Sequence, residues 1–243
     1  MSLDPITHKN ILIKILKDIF TDPVAGPILG FKGGSAAYLF YGLNRFSVDL
    51  DFDLLEEKNA SQVFTRIREI LASYGTVKKA DRKRFSLFYL LSYEDKVKGA
   101  HNIKVEINVR GFGSIYEVKS YLGISMKVMV REDMVAHKLV AMVERIGRTN
   151  RDIYDAWFFL NKGWPVNTNI VEERTGMKWR EFLQKCISLL VKMPNRGILS
   201  GMGELLDAKQ KAWVKLKLRE ETLFALRLLL ENARIGEKST SPP

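Results

Sequence analysis

Residues 28–55 read ILGFKGGSAAYLFYGLNRFSVDLDFDLL, and the fold is decided by two features within them. Ile28 to Phe31 is a short apolar run with strand character, broken at Gly33-Gly34. A short helical stretch follows from Ser35 to Tyr41. Ser47 to Leu55 then alternates aspartate with apolar residues at period two, the pattern of a strand with one buried face. Residues i and i+2 on a strand share a face, so Asp49 and Asp51 present two carboxylates side by side while Leu50 and Phe52 point into the core. Aspartate is depleted in strands unless it has work there. Two adjacent carboxylates repel unless a cation lies between them, and their hard oxygens suit Mg²⁺ held jointly with substrate phosphates. The glycines let the backbone approach a phosphate, and Ser35, with helix-start amides behind it, can hydrogen-bond phosphate oxygens. Asp53 continues the same face but nears the strand end, where solvent is its expected neighbour.

Outward from this stretch, Leu12, Ile15, Leu16, Ile19 and Phe20 lie on one face of a helix from about Thr7 to Phe20. Val63, Ile67, Ile70, Leu71 and Tyr74 do the same for a helix over Ala60 to Tyr74. Strand patterns follow over Phe85 to Tyr93, Ile103 to Val109 and Ser125 to Val130, the first two separated by a polar turn around Glu94 to Gly99. From Arg131 the pattern is helical: Met134 to Arg145, Asp152 to Leu160, Trp179 to Val191, and a long stretch from Glu204 to Asn232. The expectation is an α/β unit over residues 1–130, a helical unit over 131–236 that completes the active-site cleft, and a flexible polar tail over 237–243.

A third carboxylate is a usual partner of two-metal transfer. Glu106, in the alternating run Lys104-Val105-Glu106-Ile107-Asn108, is the candidate, with a cross-strand ion pair to a lysine or arginine as the competing role. Glu132 and Asp133 open a helix whose dipole alone accounts for them. Lys138 on that helix can reach triphosphate oxygens or sit in solvent, and His137 has no partner at metal-ligand spacing. Arg145, Arg148 and Arg151 flank a glycine-bearing turn and can take phosphate or an RNA backbone; Asp152 and Asp155 follow at i, i+3. Asp152 caps its helix or orients Lys138. Gly197, Gly201 and Gly203 fit neither a P-loop nor a dinucleotide fingerprint and read as a turn.

Composition narrows the class. The single cysteine, Cys186, excludes an internal disulfide, fits a reducing compartment and reads as a buried apolar residue. No apolar run is long enough to span a bilayer and no secretory signal is visible, so the expected location is the cytoplasm. The net charge of +11 is spread over both halves, with 19 basic against 14 acidic residues in 1–130 and 20 against 14 in 131–243. Such a surface favours polyanions, nucleotides and RNA first among them.

Together, Gly33-Gly34-Ser35, Arg45-Phe46-Ser47-Val48-Asp49-Leu50-Asp51, His137-Lys138-Leu139 and Arg151-Asp152-Ile153-Tyr154-Asp155 resemble the AbiEii/AbiGii family of nucleotidyltransferase toxins, within the DNA polymerase beta-like superfamily. Ser35 stands where many members have threonine, which keeps the hydroxyl. The resemblance implies an α+β fold with a mixed central sheet flanked by helices and an all-helical C-terminal part. It implies Mg²⁺ on Asp49 and Asp51; from the strand reading above, Glu106 is added as third ligand or as support for deprotonating the attacking hydroxyl. Gly33, Gly34, Ser35, Arg45, Ser47 and Lys138 would bind the nucleotide, and Lys138 and Asp152 would be the distal catalytic residues. The activity implied is transfer of NMP from an NTP to an acceptor hydroxyl, the acceptor end of tRNA in some members, by the toxin of a type IV toxin–antitoxin or abortive-infection system with a cognate antitoxin. A small-molecule acceptor such as an antibiotic, a protein hydroxyl, and a non-catalytic binding module are the competing readings.

Overall fold

A computed structural model describes residues 4–95 and 99–239. The chain divides into two compact units, Met1–Val130 and Arg131–Pro243. The fold is α+β, with every described strand in the first unit.

In the first unit, helix α1 (Pro5–Thr21) starts two residues earlier than its apolar face suggests. Asp4 caps it by accepting from the Thr7 amide at 3.1 Å, and Pro5 supplies a fixed φ at the first helical position. Strand β1 (Leu29–Lys32) runs directly into α2 (Gly33–Phe40), and β2 (Leu50–Leu54) follows. Then come α3 (Ala60–Ala72), β3 (Thr76–Arg82), β4 (Ser86–Asp95), β5 (Gly99–Asn108), β6 (Tyr116–Tyr121) and β7 (Ile124–Met129). Of the polar turn expected between β4 and β5, residues 96–98 lie outside the described residues.

The strands form one mixed sheet in the order β3-β4-β5-β2-β1-β7-β6. The core lies on the face carrying Leu29, Phe31, Leu50, Phe52, Val105 and Ile107, all buried. Phe52 sits 5.4 Å from Phe31 and 6.1 Å from Phe20, ring centre to ring centre. Burying a side chain of that size contributes about 2–3 kcal/mol. β3 and β6 are the two sheet edges, and neither shows in the sequence pattern. Their runs, TVKKADR and YEVKSY, carry the exposed charges that edge strands use against intermolecular pairing, which erases the apolar alternation.

The second unit holds α4 (Arg131–Arg145), α5 (Arg151–Asn161), α6 (Thr168–Thr175), α7 (Trp179–Lys192), α8 (Ala208–Trp213) and α9 (Arg219–Ser239). The expected long helix from Glu204 is interrupted. Asp207 accepts from the Gln210 amide at 2.8 Å while the Gln210 side chain accepts from the Asp207 amide at 2.9 Å, a reciprocal cap that starts α8 at Ala208. A π-helical segment, Val214–Leu218, then joins α8 to α9. Of the tail expected at 237–243, the backbone is helical through Ser239, and residues 240–243 lie outside the described residues. Cys186 is fully buried on α7, and burial pushes its thiol up to about 12, so it is inert. No helix among the described residues is long and apolar enough to cross a membrane.

Candidate active site

β1 and β2 pair antiparallel, which sets Lys32 opposite Asp51 and Gly30 opposite Asp53. β2 and β5 pair parallel, which sets Asp51 beside Glu106 and Asp53 beside Asn108. Two polar rows therefore cross the face opposite the core.

The first row contains a residue that the motif reading passes over. The Lys104 ammonium lies 3.2 Å from Glu106 Oε2 and 3.8 Å from Asp51 Oδ1. Burial would lower its pKa, but the charges of Asp51, Asp49 and Glu106 outweigh burial and hold it above the ordinary lysine value. All three carboxylates thus act on one ammonium. Three negative charges and one positive leave a net −2, the charge that one divalent cation neutralises. A lysine two positions before Glu106, on the same strand face, was the available signal.

The second row corrects the expectation for Asp53. It is buried rather than solvated, at 8 % exposure. Lys32 Nζ donates to it at 2.5 Å, Asn108 Nδ2 at 2.8 Å, and the Tyr116 hydroxyl also donates. Tyr116 gains access because Gly30 lies under its ring, where a Cβ would come within 2.3 Å of a ring carbon. Burial alone would raise the Asp53 carboxyl; Lys32, Tyr116 and Asn108 together hold it below the usual 3.8. A depressed folded-state pKa gives stability that is present above the unfolded value and lost as pH falls through the folded one. Asp53→Asn should therefore flatten the loss of stability below about pH 4, read by urea denaturation from pH 7 to 3; an unchanged acid limb would contradict this.

Residues 46–49 lie outside the sheet, so their carbonyls need other donors. Arg45 Nη1 donates to Phe46 O at 2.9 Å, and Ser35 Oγ donates to Asp49 O. His8 Nε2 donates to Val48 O at 3.0 Å, which leaves Nδ1 to accept from the Tyr93 hydroxyl at 2.7 Å. Burial holds the His8 pKa below 6.5, in keeping with this neutral form. These contacts fix the approach to Asp49. They also commit the Ser35 hydroxyl proton to the protein backbone, and Ser47 Oγ lies 3.0 Å from Ser35 Oγ. Arg45 and Ser47 are buried beneath the turn, where a Cβ on Gly34 would lie 2.8 Å from Ser47 Oγ and 3.0 Å from Arg45 Nη2.

Gly33 has φ +79°, and a Cβ there would lie 2.5 Å from Asp51 Oδ2. The first turn of α2 has no side-chain cap, so no capping side chain takes its amides. Gly33→Ala should cost about 1–2 kcal/mol from its left-handed backbone, measured by denaturant unfolding, and should displace the Asp51 carboxylate.

Asp51 on β2 and Asp49 just before it offer the donor type that would suit Mg²⁺. The donors are carboxylate oxygens, and such an ion takes one or two of them and fills its shell with water and phosphate. A complete protein cage is not present: among the described residues no three His, Cys, Asp or Glu side chains are gathered to hold a metal. Glu106 stands next to Asp51 but is bonded to Lys104.

In the second unit, Lys138 meets Asp152 Oδ1 at 3.2 Å and Asp155 Oδ2 at 2.7 Å. Arg145 Nη2 lies 2.9 Å from Asp152 Oδ2 without hydrogen-bond geometry, an ionic contact. Both aspartates are fully buried, so Lys138 is a buried cation bridging α4 and α5 rather than a solvated one. Arg148 donates to the Glu144 carbonyl, Arg174 Nη1 donates to His137 Nδ1 at 2.8 Å, and Asn167 donates to buried Asp133 at 2.7 Å. The turn containing Gly197 and Gly201 packs on the α4–α5 connection, with the Asn150 amide donating to Ser200 O at 2.9 Å.

The fold has counterparts among solved structures. JHP933 from Helicobacter pylori is 22% identical with a TM-score of 0.60, covering 98% of this chain and 97% of that one. A putative nucleotidyltransferase from H. pylori is 21% identical with a TM-score of 0.62 over the full length of both chains. MenT4, a nucleotidyltransferase toxin from Mycobacterium tuberculosis, is 16% identical with a TM-score of 0.51, covering 94% and 99%. At these identities the likeness establishes the fold alone. No curated protein matches the chain. The sequence profile of a family described as nucleotidyl transferase AbiEii toxin, type IV TA system, matches residues 14–217. The chain therefore belongs to the AbiEii family of nucleotidyltransferase toxins.

Proposed function

We propose that this chain transfers an NMP unit from an NTP to a hydroxyl of RNA, at the acceptor end of tRNA, in a Mg²⁺-dependent reaction. The carrying observation is the net −2 cluster of Asp49, Asp51, Glu106 and Lys104 beside the uncapped start of α2. Amides of the α2 first turn receive phosphate oxygens, since helix starts favour anions. Asp49 and Asp51 would hold Mg²⁺, which would supply charge neutralisation for the triphosphate. The acceptor oxygen attacks the α-phosphorus in line; the new O–P bond forms as the bond to pyrophosphate breaks, and pyrophosphate leaves with that electron pair. Glu106 would assist removal of the acceptor proton, a role supported by its register beside Asp51 and its bond to Lys104.

The charge of +11 supports RNA over a polycationic drug, which would favour an acidic surface. A cognate antitoxin follows from the family, and the cytoplasm, where NTPs and tRNA meet, is the proposed site of action. The test is incubation with α-labelled NTPs and total tRNA, with Mg²⁺ or with EDTA. Label should enter RNA only with Mg²⁺. Label confined to protein or small molecules, or RNA labelling that survives EDTA, would overturn the proposal.

A further inference from the structure

Away from the acidic cluster, the densest unassigned chemistry in the first unit is a set of cations laid on aromatic rings. The β3–β4 turn reads Arg82-Lys83-Arg84-Phe85, and β5 runs out beside it into Arg110-Gly111-Phe112, tied by the Val109 amide donating to Phe85 O at 3.1 Å. The Lys83 ammonium lies 4.1 Å from the Phe88 ring centre. The Arg84 and Arg110 guanidinium carbons lie 4.8 and 4.4 Å from the Phe85 ring centre, and Arg110 lies 5.4 Å from that of Phe112. Lys83, Arg84, Phe85 and Arg110 are exposed. Among the described residues no carboxylate pairs with Lys83, Arg84 or Arg110, whereas nearby Lys79 has Asp81 at 3.0 Å.

Two guanidiniums on one ring repel each other and are held by the ring's quadrupole. A phosphate that draws either guanidinium off the ring relieves that repulsion. Cations alternating with rings match a polymer that alternates phosphates with flat bases, while an acidic peptide would use the charges and leave the rings idle. The placement also leads to the acidic cluster. Phe88 is the register partner of Glu106, itself beside Asp51, so Phe88 stands two strands, about 10 Å, from Asp51.

We propose that this turn is a platform for a single-stranded segment of RNA: Lys83, Arg84 and Arg110 swing from the rings to pair with phosphates, and bases stack on the faces of Phe85 and Phe88 that they leave. It deepens the RNA-acceptor reading above and rests on it, so its test avoids catalysis. The full-length protein is titrated into a fluorescein-labelled single-stranded RNA oligonucleotide without NTP or Mg²⁺, across a salt series, after matched melting curves show each variant folded. The triple variant K83Q/R84Q/R110Q should bind at least tenfold more weakly at low salt, and its slope of log affinity against log salt should fall by about 2. Phe85→Ala should weaken binding about fivefold or more with the slope unchanged. Wild-type protein that does not bind, or variants that bind like wild type, would overturn the platform, as would a glutamate-rich peptide whose binding is equally sensitive to Phe85→Ala. If the platform behaves as expected but no label enters RNA, the transfer reading fails alone. If RNA is labelled while the variants bind it normally, the platform fails alone.

Discussion

Asp51→Asn should lower nucleotidyl transfer about a thousandfold while leaving the first unit folded. The substitution keeps shape and removes one charge. The cluster falls from a net −2 to −1, because Lys104 keeps its hydrogen bond to Glu106 and the influence of Asp49. A divalent ion then loses a charged oxygen and faces an incompletely neutralised site. Losing such charge stabilisation in the transition state is worth several kcal/mol, and each 1.36 kcal/mol is about tenfold in rate. Single-turnover transfer over a range of Mg²⁺ concentrations, paired with melting curves, separates chemistry from folding. Wild-type rates in Asp51→Asn would remove the metal assignment, and a collapsed melting temperature would make the residue structural.

Lys138→Ala should act in the opposite way, through stability first. It takes from the fully buried Asp152 and Asp155 the ammonium they share, while Arg145 stays beside Asp152. Breaking a buried ion pair by removing one partner costs about 3–5 kcal/mol. For a unit of this size that is a drop of roughly ten to twenty degrees in melting temperature. Calorimetry of Lys138→Ala and of Lys138→Ala/Asp155→Asn tests the point, since the second change removes one of the two buried charges that shared the ammonium and should recover part of the loss. If Lys138→Ala melts like wild type and loses only transfer, its ammonium serves substrate and the buried network is secondary.

The legible parts of the fold were those where local chemistry and tertiary role agree. Leu50 and Phe52 alternate with Asp51 because one face is core and the other polar, and the strand was readable for that reason. α3 and α7 show apolar spacing because each buries a single stripe. β3 and β6 were hidden because edge strands need charge more than alternation. The last helix was overextended because apolar spacing carries through Leu205 and Leu206, while the break depends on one side-chain cap at Asp207.

In the candidate site, spacing places Asp51 and Asp53 on one face of β2. The strand expected from Ser47 begins only at Leu50, however, so Asp49 precedes it in the irregular stretch held by Ser35, Arg45 and His8. Register is not local. That Glu106 stands beside Asp51, that Lys104 neutralises part of the cluster, and that Asp53 is pinned by Lys32, Asn108 and Tyr116 all follow from pairing distant strands. Asp53 was expected in solvent because nothing near it in sequence reveals a tyrosine lying across Gly30.

The strand order has a consequence for when this protein can be switched off. β2 is the fourth of seven strands, paired on both sides, and it carries Asp51 and Asp53. Its amides should exchange with deuterium only when the whole first unit opens, while those of β3 and β6 exchange through fraying. Local loosening reaches the borders of the sheet long before it reaches the carboxylates. Partial unfolding at the sheet borders therefore leaves the carboxylates of β2 in place, and removing the proposed site would take masking it or opening the whole first unit.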